Sequence, residues 1–142
     1  MRITIFISLF IVLLDGCLFA GPIDIARLKY GGGGDWYNDP EEETNLLKEF
    51  SARTGVSVRT EKVSLSASDD DLFLHPFLFI TGHGEIKFTA REVERLRLFL
   101  TSGGFLYADD DYGMDVSFRR ELKRVFPEAE LQELPPDFPL FT

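Results

Sequence analysis

The sequence predicts a three-layer α/β fold built on an open, mostly parallel sheet of about five strands, and three observations carry that expectation. Phe77 to Ile80 is a continuous apolar run, as a strand covered on both faces requires, and it breaks off at Thr81, Gly82, His83 and Gly84. Thr89 with Glu92 three residues later forms a capping box, and Val93, Leu96, Phe99 and Leu100 follow at helical spacing until Gly103 and Gly104. Phe105 to Ala108 is apolar again and ends in Asp109, Asp110 and Asp111. Strand, helix and strand in this order make a βαβ unit, whose right-handed crossover puts both strand exits on one edge of a parallel sheet.

The other elements fit the same frame. Ile23 to Lys29 is expected as a first strand, with Ile25, Ala26 and Leu28 apolar. Gly31 to Gly34 then form a loop that lets backbone amides approach a ligand or another chain closely, leading into Asp35, Trp36 and Tyr37. A helix is expected with Asp39 as cap, Pro40 in its first turn, Glu41 to Glu43 at the positive dipole end, Leu46, Leu47 and Phe50 as buried stripe, and Gly55 as stop. Val56 to Val63 alternates and reads as an edge strand, with Ser64 to Asp71 as a polar, mobile loop. Asp115 is expected to cap a third helix with Phe118, Leu122, Val125 and Phe126 inward, ended by Pro127, before a weak strand at Leu131 to Leu134 and an apolar tail, Phe138 to Phe141.

At 142 residues the chain has room for one domain. Its 44% hydrophobic content, with 14 Phe, predicts a globular, aromatic-rich interior rather than disorder. The net charge of −9 repels phosphate backbones, so nucleic acid is excluded as an expected partner. Arg2 followed by the apolar run Ile3 to Leu14, too short to span a bilayer, and by small residues at Gly16, Cys17 and Ala20 reads as a secretory leader over residues 1–20, with a single domain over 21–142. A buried first strand is the alternative for that run. The expected location is therefore outside the cytoplasm, in the periplasm or the cell envelope, with no transmembrane span in the mature chain. Cys17 is the only cysteine, so the mature body holds no disulfide and no thiol nucleophile. Leu14 to Cys17 partly matches a lipoprotein box, which makes Cys17 a candidate lipid anchor, although Asp15 departs from the pattern.

If the strand order is the flavodoxin-like 2-1-3-4-5, three loops meet at the carboxyl ends of neighbouring strands, where ligands bind in open α/β sheets. The candidate binding residues are Gly32, Gly33, Gly34, Asp35 and Trp36 from the first loop, Gly82, His83 and Gly84 from the second, and Tyr112 from the third. The expected partner is a small molecule or an envelope protein.

YGGGGDWYNDP, PFLFITGHGEIKF, FLTSGGFLYADDDYG, SFRRELKRVFP and ELPPDFPLF together resemble, over nearly the whole mature chain and in order, the uncharacterised bacterial family called domain of unknown function 4159. The resemblance implies a class I glutamine amidotransferase-like fold and export or attachment to membrane-associated proteins, and it implies no reaction. Family members usually continue beyond the PPD-x-P-hydrophobic segment, so a truncated sheet is a further expectation. In amidotransferase-like enzymes a cysteine nucleophile sits on a turn of the kind formed here by Gly82, His83 and Gly84. Histidine cannot replace that thiolate and no G-x-S-x-G motif occurs, so glutamine hydrolysis is not expected.

Other chemistry remains open at this stage. His83 is a candidate general base or metal ligand, against a turn histidine bonded to backbone. Asp109, Asp110 and Asp111, with Asp35 near them, are candidate ligands for a divalent cation, against an ordinary acidic strand end. The glycine loop lacks the phosphate-binding patterns. Trp36, Tyr37 and Tyr112 could wall a sugar or peptide site, or Trp36 could pack under the glycine loop. Two readings follow: a non-catalytic exported binding module, and a metal-assisted hydrolase with Asp110 or Asp111 as ligand and His83 as base.

Overall fold

The computed structural model describes residues 21–139. The leader with Cys17, over residues 1–20, and residues 140–142 at the end of the chain lie outside them. Four strands form one parallel sheet: β1 (Ala26–Lys29), β2 (Val63–Ser66), β3 (Phe77–His83) and β4 (Phe105–Tyr112), in the order β2-β1-β3-β4. The helices are α1 (Glu42–Thr54), α2 (Ala90–Thr101) and α3 (Asp115–Val125). This is the α/β class and the flavodoxin-like order the sequence predicts, with four strands among the described residues where about five are expected. Leu131 to Leu134 forms no strand and stands exposed, because no neighbouring strand offers it a ladder.

The alternation along β1 decides what each layer does. Ala26, Leu28 and Tyr30 face the larger core with Leu78 and Ile80 of β3, and α2 and α3 close it with Val93, Leu96, Phe99 and Val125. Ile25 and Phe79 face the other way and meet Leu47 of α1 in a smaller cluster. The third residue on that side is Arg27, which is buried. α2 begins with the capping box read from the sequence, Thr89 accepting from the Glu92 amide and Glu92 accepting from the Thr89 amide.

Several boundaries differ from expectation for identifiable reasons. α1 starts at Glu42, not at a cap on Asp39; Asp39 instead sits in the loop with φ 46°, a conformation aspartate tolerates better than most residues. Of its expected stripe only Leu47 is buried, while Leu46 and Phe50 are exposed and Glu43 and Thr44 turn inward. The second strand lies at Val63–Ser66 rather than Val56 to Val63. Of residues 56–62 only Val58 bridges, to Ile23, because the alternation Val63, Leu65, Ala67 is the one that meets the core. The polar segment expected as a mobile loop therefore holds β2 and, from Asp70 to Leu74, a 3-10 turn that buries Leu72. On α3, Ser117 and Glu121 share the buried side with Val125, while Phe118, Leu122 and Phe126 are only partly covered.

Ser117 and Glu121 are buried because the segment after β3 needs them. Ile86 donates its amide to the Ser117 hydroxyl (2.9 Å) and Phe88 donates to Glu121 (3.0 Å). Arg120 and Arg124 neutralise the Glu121 carboxylate, and these hydrogen bonds and charges hold its pKa below the ordinary value although burial opposes them. Backbone groups outside the sheet ladder are thus satisfied by a helix side chain.

Candidate functional site

The glycine loop is tied down backbone to backbone. Gly34 donates to the Glu85 carbonyl (3.1 Å), Asp35 to that of His83 (3.3 Å), and Lys87 to that of Gly31 (2.8 Å). A Cβ on Gly32 would come within 2.7 Å of the Glu85 carbonyl oxygen, and one on Gly34 within 2.6 Å of that of His83. Glycine is needed here so that two stretches of chain can touch, and the amides of Gly34 and Asp35 are spent on protein carbonyls rather than offered to a phosphate. Gly33 has open space around it.

Arg27 fixes the rest of that loop. Its guanidinium reaches Glu43 and Glu42 at the start of α1 and donates to the carbonyls of Trp36, Asn38 and Asp39. A planar five-donor group suits this convergence of carbonyls and carboxylates. Glu42 and Glu43 lie in the first turn of α1, at the positive dipole end where the sequence predicts them, and they are also the counter-ions of an arginine in a buried strand far earlier in the chain.

With the loop held, His83 at the end of β3 lies between two carboxylates from two other segments. Its Nδ1 is 3.0 Å from Asp35 Oδ2, and its Nε2 is 3.1 Å from Asp111 Oδ2. The His83 backbone amide also donates to Asp35 Oδ1. Asn38 donates to Asp111 at 2.6 Å, and its side chain lies 3.4 Å from His83 Nδ1. The register explains Asp111: Gly82 pairs with Asp110 and His83 with Tyr112, so Asp111 is the extra residue of a bulge, turned out of the ladder toward the histidine.

The electrostatics follow this geometry. The His83 amide, and then its ring, hold Asp35 below the usual carboxylate range. Asp35, with Asp111 and Asp39 adding their charge, raises His83 above its ordinary value. Beneath them Tyr30 donates to the Thr81 carbonyl (3.0 Å), and burial followed by the Asp35 charge pushes its phenol up to about 12.

The three neighbouring aspartates diverge. Asp110 accepts from the amides of Met114 (2.7 Å) and Asp115 (3.0 Å), so it caps α3, the role the sequence reading gave to Asp115. Asp111 faces His83, and Asp109 borders a groove on the α1 side of the sheet. Among the described residues no group of three or more His, Cys, Asp and Glu side chains is arranged to hold a metal ion. Replacing Asp110 by Ala is expected to destabilise the fold by about 1 kcal/mol through loss of the cap. Urea unfolding should give the same loss with and without added Ca²⁺.

Gly82 and Gly84 flank His83 with φ of 132° and 83°, and Gly84 donates to the Tyr112 carbonyl. The Tyr112 side chain is exposed at this edge. Trp36 is partly buried against the main core, with Tyr37 edge-on at 5.6 Å and the Lys29 ammonium 5.5 Å from its ring, so packing accounts for much of its surface. Arg27 and Asn38 were not singled out by sequence reasoning. The signal for Arg27 was a cation flanked by Ala26 and Leu28 in a largely apolar strand, with paired glutamates further on; Asn38 carried none.

The family model described as Domain of unknown function (DUF4159) matches residues 24–142. No curated protein matches the chain. No helix among the described residues is long and apolar enough to cross a membrane.

Proposed function

Since the chain belongs to the DUF4159 family, we propose that it is an exported bacterial binding module, periplasmic or attached to the cell envelope, that captures a small molecule or an envelope protein at the rim around His83. It is read as non-catalytic. The observation that carries the reading is the meeting of Asp35, His83 and Asp111 from three separate segments at the carboxyl ends of the strands. Asp35 follows β1 and His83 ends β3, and the strand order turns back between those two strands. Ligands of open α/β sheets bind at such switch points. The rim also presents what a polar ligand needs: two carboxylates, an amide at Asn38 and exposed rings at Tyr37 and Tyr112. Gly32, Gly33, Gly34, Trp36, Gly82 and Gly84 shape it. Both nitrogens of the His83 ring face carboxylates, which leaves neither free to act as a base.

Amide shifts of the labelled protein, followed while monosaccharides, amino acids and polyamines are added in turn, test the reading. Perturbations gathered on Asp35, His83 and Tyr112 support it. Perturbations confined elsewhere, or Mg²⁺- or Zn²⁺-dependent hydrolysis of an ester that Asp111→Ala abolishes, would contradict it.

A further inference from the structure

Between α1 and the half of the sheet made by β1 and β2 lies a cavity of about 130 Å³, and every residue lining it falls between Ile25 and Ser64. Its walls are complete within β1, the exit of the glycine loop, α1 and the start of β2. β4 lies at the other side of the sheet, and none of Asp35, His83 and Asp111 lines the cavity.

Polar side chains bound this cavity where a helix laid on a sheet ordinarily places apolar ones. α1 leaves Leu46 and Phe50 exposed and buries Glu43 and Thr44. Glu43 answers Arg27. Thr44 has no comparable partner: among the described residues its hydroxyl makes only a long bond of 3.4 Å to the Thr60 carbonyl. Both cations on the lining are already occupied, Arg27 by Glu42 and Glu43 and Lys62 by Glu41. Glu61, exposed at the opening, has neither a hydrogen-bond nor an ion-pair partner among the described residues.

These groups select a cation. The Thr60 carbonyl, the Thr44 hydroxyl that reaches it and the carboxylate of Glu61, the next residue, offer three acceptors on one lining, and an ammonium group brings three N–H donors. A bound carboxylate or phosphate would meet no unoccupied cation there. Ile25 and Leu47 supply an apolar wall beside the acceptors. A cavity of ~150 Å³ accepts benzene, so an ion of about six non-hydrogen atoms fits this one.

We propose that the cavity binds a short primary alkylammonium ion, whose N–H groups donate to the Thr60 carbonyl, Thr44 and Glu61 and whose alkyl stem lies against Ile25 and Leu47. This site is separate from the His83 rim and does not depend on it.

The probe is n-butylammonium chloride, titrated at low ionic strength into the labelled protein while the amide shifts are followed. Saturating shifts should gather on Thr44, Leu47 and Glu61. Affinity should rise about fourfold for each methylene from ethylammonium to butylammonium and stop rising by hexylammonium, which exceeds the cavity. 1-Butanol, with the same stem and no charge, should bind about tenfold or more weakly, and butyrate should not bind. Glu61→Gln, a change at an exposed position that leaves the fold alone, and Thr44→Val should each weaken butylammonium about fivefold or more, while Asp70→Asn, an exposed acid outside the cavity, should not. Shifts that grow without saturating, equal binding of 1-butanol, an affinity unchanged in Glu61→Gln, or shifts gathered on Asp35, His83 and Tyr112 instead would overturn the proposal.

Discussion

Replacing Arg27 by Ala is expected to cost about 3–5 kcal/mol, a large share of the roughly 5–15 kcal/mol that holds a domain of this size together. The residue is 4% exposed, and its side chain supplies charge and donors to Glu43 and Glu42 and to the carbonyls of Trp36, Asn38 and Asp39. Without it the buried Glu43 carboxylate has lost its counter-ion and the loop carbonyls have lost their donor. The double replacement Arg27→Met, Glu43→Leu separates the two losses. It should recover much of the stability, because a buried ion pair exchanged for apolar packing is often close to neutral. It should not restore the loop, because the three carbonyls still lack a donor. Urea unfolding reads the first effect and the amide shifts of Asp35 and Asn38 read the second; a single variant as stable as wild type would contradict the account.

A methyl group at Gly82 comes next in expected size, at about 2–3 kcal/mol. Gly82 has φ 132°, which side-chain-bearing residues rarely adopt, and its added Cβ would lie 2.4 Å from the buried Tyr30 hydroxyl and 2.9 Å from the Asp35 carbonyl oxygen. Relief requires moving Tyr30 or the Asp35 backbone, and either movement separates Asp35 from His83. Gly33→Ala is the control: its φ is also positive, at 95°, but nothing lies within 4 Å. It should cost about 1 kcal/mol from backbone strain alone and leave the rim intact. Equal effects of the two substitutions on the His83 ring signals would show that contact at Gly82 is not what positions the rim.

These residues also show what the sequence made legible. β3 and α2 were readable because a continuous apolar run and a capping box are local signals, decided within a few residues. The meeting of the glycine loop, the β3 exit and the β4 exit followed from parallel strand order alone, which fixes where strands end without any side-chain detail. What stayed hidden depended on pairs far apart in the chain. Arg27 looks like a solvated cation until Glu43 is known to face it. Asp110 and Asp111 are indistinguishable in a run of three aspartates until the bulge assigns one to the α3 amides and the other to His83. The edge strand was placed too early because Val56 to Val63 alternates nearly as well as Val63 to Ala67, and only burial against Leu28 and Leu72 selects the later stretch.

His83 joins two segments of the rim, Asp35 on one side and Asp111 on the other, and its titration measures that junction most directly. Protonation of His83 contributes stability that is complete below the unfolded-state pKa and is lost as pH rises through the raised folded-state value. Asp35 contributes stability that is present above its unfolded-state pKa and is lost as pH falls through its lowered folded-state value. Between those limits the Asp35 and His83 charges are both present and the bridge is closed. Following the His83 ring protons by NMR should give a midpoint above 6.5, with the amides of Asn38 and Asp111 shifting at the same pH, and the midpoint should fall in Asp35→Asn. A midpoint at or below 6.5, unchanged by Asp35→Asn and unaccompanied by those amides, would mean that the histidine stands alone and the rim is not one site.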